Sequence, residues 1–214
     1  LMQDLHDIVN IRRKDSMREL LHIFAAWSSK LMDLSGIGGK LELNHQTLKS
    51  YINYLESLYL FERLPAWTQT DYQRVGQREK IFATDTGLMA ALLDWRLEEV
   101  LLDADRSGKI VETLVFNELS AQTSLNREYQ LYHYRDRNNH EIDFLVKNSS
   151  GHILGIEVKA GSRISLKEYA RHLEFFRNNL AKENSFTGIV LYTGKDTLPL
   201  GENIFAVPLA FMWQ

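Results

Sequence analysis

The chain has 214 residues, 44% hydrophobic and 11% aromatic, with 25 Lys+Arg against 28 Asp+Glu and a net charge of −3. That length suits one large domain or two small ones, and the apolar content fills real cores, which excludes wholesale disorder. The absence of cysteine excludes disulfides, thiolate zinc sites and cysteine nucleophiles, and no apolar run is long enough to span a membrane. The opening Leu1-Met2-Gln3-Asp4-Leu5 has neither a basic nor an apolar leader segment. No signal peptide is therefore expected, a cytoplasmic setting fits, and a start on Leu predicts a piece of a longer chain.

In chain order, residues 17–34 predict a helix from Leu20, Leu21, Phe24, Trp27, Leu31 and Leu34, ended by a turn at Gly36, Gly38 and Gly39. A second helix is predicted over 45–58, with Asn44 as N-cap and Leu48, Tyr51, Ile52 and Leu55 as its apolar stripe. Residues 59–65 leave it as extended chain, 66–80 read as a wing or linker, and 80–83 as a short strand. Asp85 or Thr84 caps a helix to Leu93. A loop runs to Gly108, and 109–124 is helical. Residues 131–134, 141–146 and 153–159 predict three strands, followed by a helix at 165–180 and strands at 187–192 and 204–207. This αβββαβ order predicts a mixed sheet flanked by helices. Residues 1–80 hold 11 Lys+Arg against 10 Asp+Glu, and residues 81–214 hold 14 against 18, so neither part is a strong basic stripe.

The chemistry gathers between residues 112 and 159. Glu157 and Lys159 sit two apart in a predicted strand and so share a face. A chain of this composition supplies Glu-x-Lys by chance, so the surroundings carry the weight. Asp143 lies in the preceding apolar strand across a turn at Asn148-Ser149-Ser150-Gly151, and an antiparallel hairpin would set it beside Glu157. Glu112, on the preceding helix, can add a third carboxylate. Charged side chains in apolar strands need a reason, and a divalent cation held by carboxylates is one. Two acids plus Glu-x-Lys are the minimum set for metal-dependent phosphodiester hydrolysis, with Lys159 positioning water. The plainer alternative is a salt bridge between Glu157 and Lys159, with Asp143 paired to Arg135 or Arg137. His133 and His140 read as ordinary strand or surface histidines, and Glu118 and Glu141 as solvated.

Several linked motifs carry a resemblance over nearly the whole chain: Lys80-Ile81-Phe82-Ala83-Thr84-Asp85-Thr86-Gly87-Leu88, Gly108-Lys109-Ile110-Val111-Glu112-Thr113-Leu114-Val115, Tyr134-Arg135-Asp136, Glu141-Ile142-Asp143-Phe144 and Ile156-Glu157-Val158-Lys159-Ala160. Together they resemble the C-terminal half of a group of prokaryotic AAA-type ATPases of unknown function. There an ATP-binding P-loop module precedes a winged helix and an uncharacterised domain similar to the PD-(D/E)XK, restriction-endonuclease-like fold. The resemblance implies an α/β (α+β) chain: a winged-helix domain at 1–80, then an endonuclease-like mixed sheet flanked by helices at 81–214. It also implies Glu112, Asp143 and Glu157 as metal ligands for Mg²⁺ or Mn²⁺, with Lys159 completing the catalytic set. Ile142 stands where that pattern often has Pro.

No ATP site is expected within this chain. Gly36-Ile37-Gly38-Gly39-Lys40-Leu41 lacks the P-loop spacing and its Ser/Thr, and follows a predicted helix rather than a strand. The partners implied are DNA and the chain's own N-terminal ATPase module, with a homo-oligomer left open. On helix 45–58 the exposed Gln46, Lys49, Ser50 and Asn53 suit base edges and phosphate, or equally the ATPase module. Three readings follow: a Mg²⁺-dependent nuclease-like module, a non-catalytic regulatory or assembly module of the ATPase, and a DNA binder acting through the winged helix alone. The near-neutral charge of residues 1–80 counts against the third.

Overall fold

A computed structural model describes residues 14–161, 166–181 and 185–213. The chain begins with α1 (Lys14–Ala26), β1 (Lys30–Leu31), α2 (Leu34–Lys40), α3 (His45–Ser57) and β2 (Phe61–Leu64). There follow α4 (Asp71–Arg74), β3 (Lys80–Ala83), α5 (Thr86–Leu92), α6 (Leu97–Leu102) and α7 (Ala104–Leu125). The rest comprises β4 (Tyr129–Arg135), β5 (Glu141–Asn148), β6 (Ile153–Lys159), α8 (Leu166–Asn179), β7 (Phe186–Tyr192), β8 (Leu198–Gly201), β9 (Ile204–Pro208) and a final 3₁₀ turn (Leu209–Trp213). The architecture is α+β: a three-stranded sheet ordered β1-β3-β2 and a six-stranded mixed sheet ordered β4-β5-β6-β7-β9-β8.

The caps read from the sequence are in place. Asn44 Oδ1 accepts the Thr47 N–H at 2.9 Å and Asp85 Oδ1 the Leu88 N–H at 2.6 Å, so α3 and α5 start where orphan amides find acceptors. Leu48, Tyr51, Ile52 and Leu55 are buried along α3.

Other elements differ from expectation. The predicted 17–34 helix stops at Ala26, and β1 holds Leu31. Gly36, Gly38 and Gly39 lie inside α2, which follows a strand after all. Asp33 Oδ1 caps α2 by accepting the Gly36 N–H at 3.1 Å. Gly38 suits that helix because a Cβ there would lie 3.2 Å from the Leu43 carbonyl and 3.5 Å from Leu48, so glycine lets α2 approach α3. The predicted loop before Gly108 contains α6 and the first turn of α7, where the Asp103 carboxylate accepts the amides of Asp105 and Arg106 at 2.9 and 3.2 Å. Gly108 faces open space within that helix. The sequence reading also missed α4, β8 and the closing 3₁₀ turn. The first residue of the predicted 165–180 helix lies outside the described residues.

β3 joins the two sheets. It pairs antiparallel with both β1 and β2, so the expected boundary at 80/81 falls inside a strand of the front sheet. Its alternation divides its side chains. Ile81 and Ala83 enter the front core with Leu20, Phe24, Leu55 and Phe61, whereas Phe82 enters the cluster beneath the large sheet. There Phe82 stacks on Phe116 of α7 with centroids 4.1 Å apart, and meets Phe144 of β5 at 5.7 Å. Ala170, Leu173 and Phe176 of α8 pack with Ile153, Phe186 and Val190 in a separate cluster. Outside β4 runs the chain after β2: Trp67 N–H donates to the His133 carbonyl at 2.7 Å, and His133 N–H to the Pro65 carbonyl at 3.0 Å.

β4, β5 and β6 are antiparallel, while β6–β7 and β7–β9 run parallel. The β4–β5 ladder shifts between Tyr132↔Leu145 and Tyr134↔Ile142, so β5 spends one extra residue there, a β-bulge. Consequently Phe144 packs with Phe82 and Phe116, whereas Ile142 and Leu145 pack with α8.

Phe82→Ala should cost about 3–5 kcal/mol, because it empties a ring-lined space in the cluster that ties β3 to α7 and β5. Tyr72→Ala, at a side chain 88% exposed, should stay within about 0.5 kcal/mol of wild type. Urea unfolding midpoints separate the two.

Candidate functional site

The hairpin β5–β6 pairs Phe144 with Ile156, and continuing that register sets Asp143 opposite Glu157. Instead of extending the ladder, the Asp143 carboxylate accepts the Val158 N–H through Oδ2 at 2.9 Å. Lys159 projects beside both acids: its Nζ lies 3.0 Å from Glu157 Oε2 and 3.9 Å from Asp143 Oδ2, and 4.3 Å from the centre of the Tyr169 ring on α8. Asp143 and Glu157 are buried.

The other side of Asp143 meets a residue that the sequence reading left out of the site. Lys80, the first residue of β3, is 2% exposed. Its Nζ lies 3.0 Å from Glu112 Oε1 on α7, 3.0 Å from Glu141 Oε1 and 3.4 Å from Asp143 Oδ1, both on β5. The strand alternation that buries Phe82 points Lys80 the same way, and Glu141 and Asp143, two apart on β5, both reach it. Glu141, which its sequence position placed on a solvated face, is half-buried and ion-paired instead. Its second oxygen takes Arg135 at 3.3 Å, which removes Arg135 as the partner of Asp143.

The charges explain the protonation pattern. Burial works against the Lys80 ammonium, yet Glu112, Asp143 and Glu141 around it outweigh that cost and raise its pKa. Lys159 is raised in the same way, burial being overcome by Asp143 and Glu157. Burial would raise Asp143 too, but Lys80, Lys159 and the Val158 N–H hold it below the usual carboxylate range. Burial pushes Glu112 up to about 7 despite Lys80, and burial with the nearby Asp143 charge pushes Glu157 well above its ordinary value. Burial also lowers His133 to about 4, leaving its imidazole neutral, while its Nε2 meets the Arg78 carbonyl at 3.0 Å. His140 faces Asp136 at 2.7 Å through Nδ1.

Ser29, Lys30, Lys109, Glu112, Asp143 and Lys159 are among the residues lining an open cleft of about 330 Å³. The carboxylates that the sequence offered for a divalent cation are Glu112, Asp143 and Glu157. Glu157 Oε1 is buried with no hydrogen-bond donor, an oxygen that a cation or a proton would satisfy. Among the described residues no three His, Cys, Asp or Glu side chains are gathered as a metal-ligand set. The Lys80 ammonium holds the space between Glu112 and Asp143. Gln46, Lys49, Ser50 and Asn53 are exposed along α3, with Ser50 Oγ donating to the Gln46 carbonyl at 3.0 Å. Lys80 gave little signal beforehand: a lysine heading an apolar strand reads as its solvated end.

The back half matches a domain of unknown function, DUF4143. That match covers residues 107–212, and residues 1–99 match a second domain of unknown function, DUF8612. Glu112, Glu141, Asp143, Glu157 and Lys159 therefore lie in the first and Lys80 in the second. The chain is similar to the uncharacterized protein Rv2008c of Mycobacterium tuberculosis and the uncharacterized protein Mb2031c of Mycobacterium bovis. Each is 25% identical over 193 residues, covering 90% of this chain and 42% of the relative. The chain thus spans less than half the length of these curated relatives. No solved structure matches it. Among the described residues no helix is long and apolar enough to cross a membrane.

The raised Glu112 pKa has a signed consequence. A carboxyl that binds its proton more tightly when folded contributes stability below its unfolded pKa and loses that contribution as pH rises through its folded value. Wild type should therefore lose stability relative to Glu112→Gln as pH rises from about 4.5 to about 7, as urea titrations at successive pH values would measure.

Proposed function

We propose that the chain is the nucleic-acid-handling part of a larger protein, a winged helix joined to an endonuclease-like domain that hydrolyses phosphodiester bonds with Mg²⁺ or Mn²⁺. The observation that carries this reading is Lys159 Nζ bridging Glu157 Oε2 at 3.0 Å and Asp143 Oδ2 at 3.9 Å beside a cleft that Glu112 also lines. For the front part, support comes from the order helix, strand, helix, helix, strand, short helix, strand with the sheet order β1-β3-β2. A winged helix would use that order with α3 as the recognition-type helix and residues 65–79, which include α4, as the wing. For the back part, support comes from α7, three antiparallel strands, α8 and a parallel return strand, the order of the endonuclease-like fold.

Glu112, Asp143 and Glu157 would hold the cation, which when bound neutralises phosphoryl charge and activates water. Its two positive charges and the single negative charge of a phosphodiester would balance these three carboxylates against Lys80 and Lys159. Asp143 is oriented by the Val158 N–H. Lys159 is the group set to stabilise charge developing on the phosphate oxygens. The relatives extend well beyond the matched stretch, which leaves room for an ATPase module outside this chain, and on this reading ATP binding belongs there.

A second reading draws on Lys80. Its ammonium already partners Glu112, Glu141 and Asp143, which suits a non-catalytic regulatory or assembly module using the same fold to hold DNA or a partner.

Cleavage of single-stranded, duplex and branched DNA with Mg²⁺ or Mn²⁺, against chelator controls, separates the two. On the nuclease reading Lys159→Ala should lose at least about 10²-fold in turnover while Mn²⁺ binding by calorimetry persists, and Asp143→Asn should lose both. Wild type that cuts nothing and gives no metal-binding heat selects the second reading.

A further inference from the structure

A second cleft, of about 640 Å³, lies between β4 and the chain leading into β3, lined by residues including Gln77, Arg78, His133, Arg135, Asp136 and Arg137. We propose that this cleft binds the sugar–phosphate backbone of a nucleic-acid strand through Arg78, Arg135 and Arg137. The proposal rests on the nucleic-acid reading above and names the surface that would hold the strand.

Two of the three charges, on Arg78 and Arg137, are uncompensated where they face solvent. All three arginines are exposed. Among the described residues no carboxylate pairs with Arg78 or Arg137, and Arg135 shares Glu141 with Lys80. The nearby acids are already engaged. Asp136 Oδ1 accepts the amides of Asn138 and His140 at 2.8 and 2.9 Å, and its Oδ2 faces His140 Nδ1 at 2.7 Å. Glu79 Oε2 lies 3.3 Å from Arg63.

The arginines stand on backbone that is held in place. The buried His133 ring bonds the Arg78 carbonyl at 3.0 Å. Gly76, at φ +85°, turns the chain toward Arg78 through a conformation that favours glycine. Arg137 sits within the turn closed by the Asp136 carboxylate. Guanidinium groups so placed can each take two phosphate oxygens, and their charge sets affinity through counterion release. A polymer suits the cleft better than a free phosphate because three arginines from two separate stretches of chain line it. The Glu141 carboxylate that holds Arg135 with one oxygen holds Lys80 with the other, which links this arginine to the acid cluster.

The test is fluorescence anisotropy with labelled single-stranded and duplex oligonucleotides, run in chelator across a salt series, so that binding is scored without cleavage. The expected result is binding that R78E/R137E weakens at least about tenfold, with a salt slope reduced by about one to two. R78K/R137K should keep the salt slope while losing part of the affinity. Circular dichroism confirms that these surface variants fold. Unchanged affinity and slope in R78E/R137E, absence of wild-type binding, or loss of binding in Lys49→Glu on α3 but not in R78E/R137E would overturn the proposal. Strand binding lost in R78E/R137E, from a wild type that cleaves nothing with Mg²⁺ or Mn²⁺, would uphold the cleft and overturn only the nuclease reading.

Discussion

A buried ammonium is the constraint on which the rest depends. Lys80 is enclosed, and a charge so enclosed is tolerated only where opposite charges meet it at hydrogen-bond distance. Its three acids come from α7 and from two positions on β5. The interaction therefore specifies at once how β3 lies over the large sheet, where α7 crosses it, and which way β5 turns its side chains. The attraction is offset in large part by desolvation, so its main effect is specificity: alternative packings of β3 leave the ammonium unpaired and take a partner from each of Glu112, Glu141 and Asp143. Phe82, two residues on, adds the apolar part of the same contact through its stack on Phe116.

Beside this cluster β5 carries one extra residue against β4. In an unbroken strand Ile142 and Phe144 would share a face; here they lie in different clusters. Glu141 and Asp143, two apart on β5, both reach Lys80, and Asp143 lies opposite Glu157 with its carboxylate on the Val158 amide. Bulges re-aim side chains at the expense of a ladder bond, and beyond the Phe144↔Ile156 pair the side-chain oxygen of Asp143 takes the Val158 amide of β6.

What the sequence made legible was local. Asn44 and Asp85 announced α3 and α5 because a cap and an apolar stripe sit within a few residues of each other. The proximity of Asp143, Glu157 and Lys159 followed from a hairpin, whose register depends on one turn. Glycine misled twice. Gly36, Gly38 and Gly39 read as a turn but lie in a helix that Asp33 caps at the Gly36 amide, with Gly38 alone at the close approach to α3, and Gly108 read as a helix boundary although Asp103 caps α7 five residues earlier. Lys80 and Glu141 were missed for a different reason. Their meeting depends on a contact between residues 61 apart. A long-range ion pair leaves no mark in either local sequence.

The chain after β2 does more than connect. By hydrogen bonding on both sides of His133 it occupies the outer rim of β4, and at the opposite rim β8 is four residues long and contains Pro199. An open row of amides and carbonyls invites a neighbouring molecule to add its own strand, and proline within a strand withholds a donor. The large sheet is therefore guarded along both margins, one by the chain's own backbone and the other by a short strand with a missing amide. It can display a deep charged interior to a ligand without inviting fibrous growth from its sides.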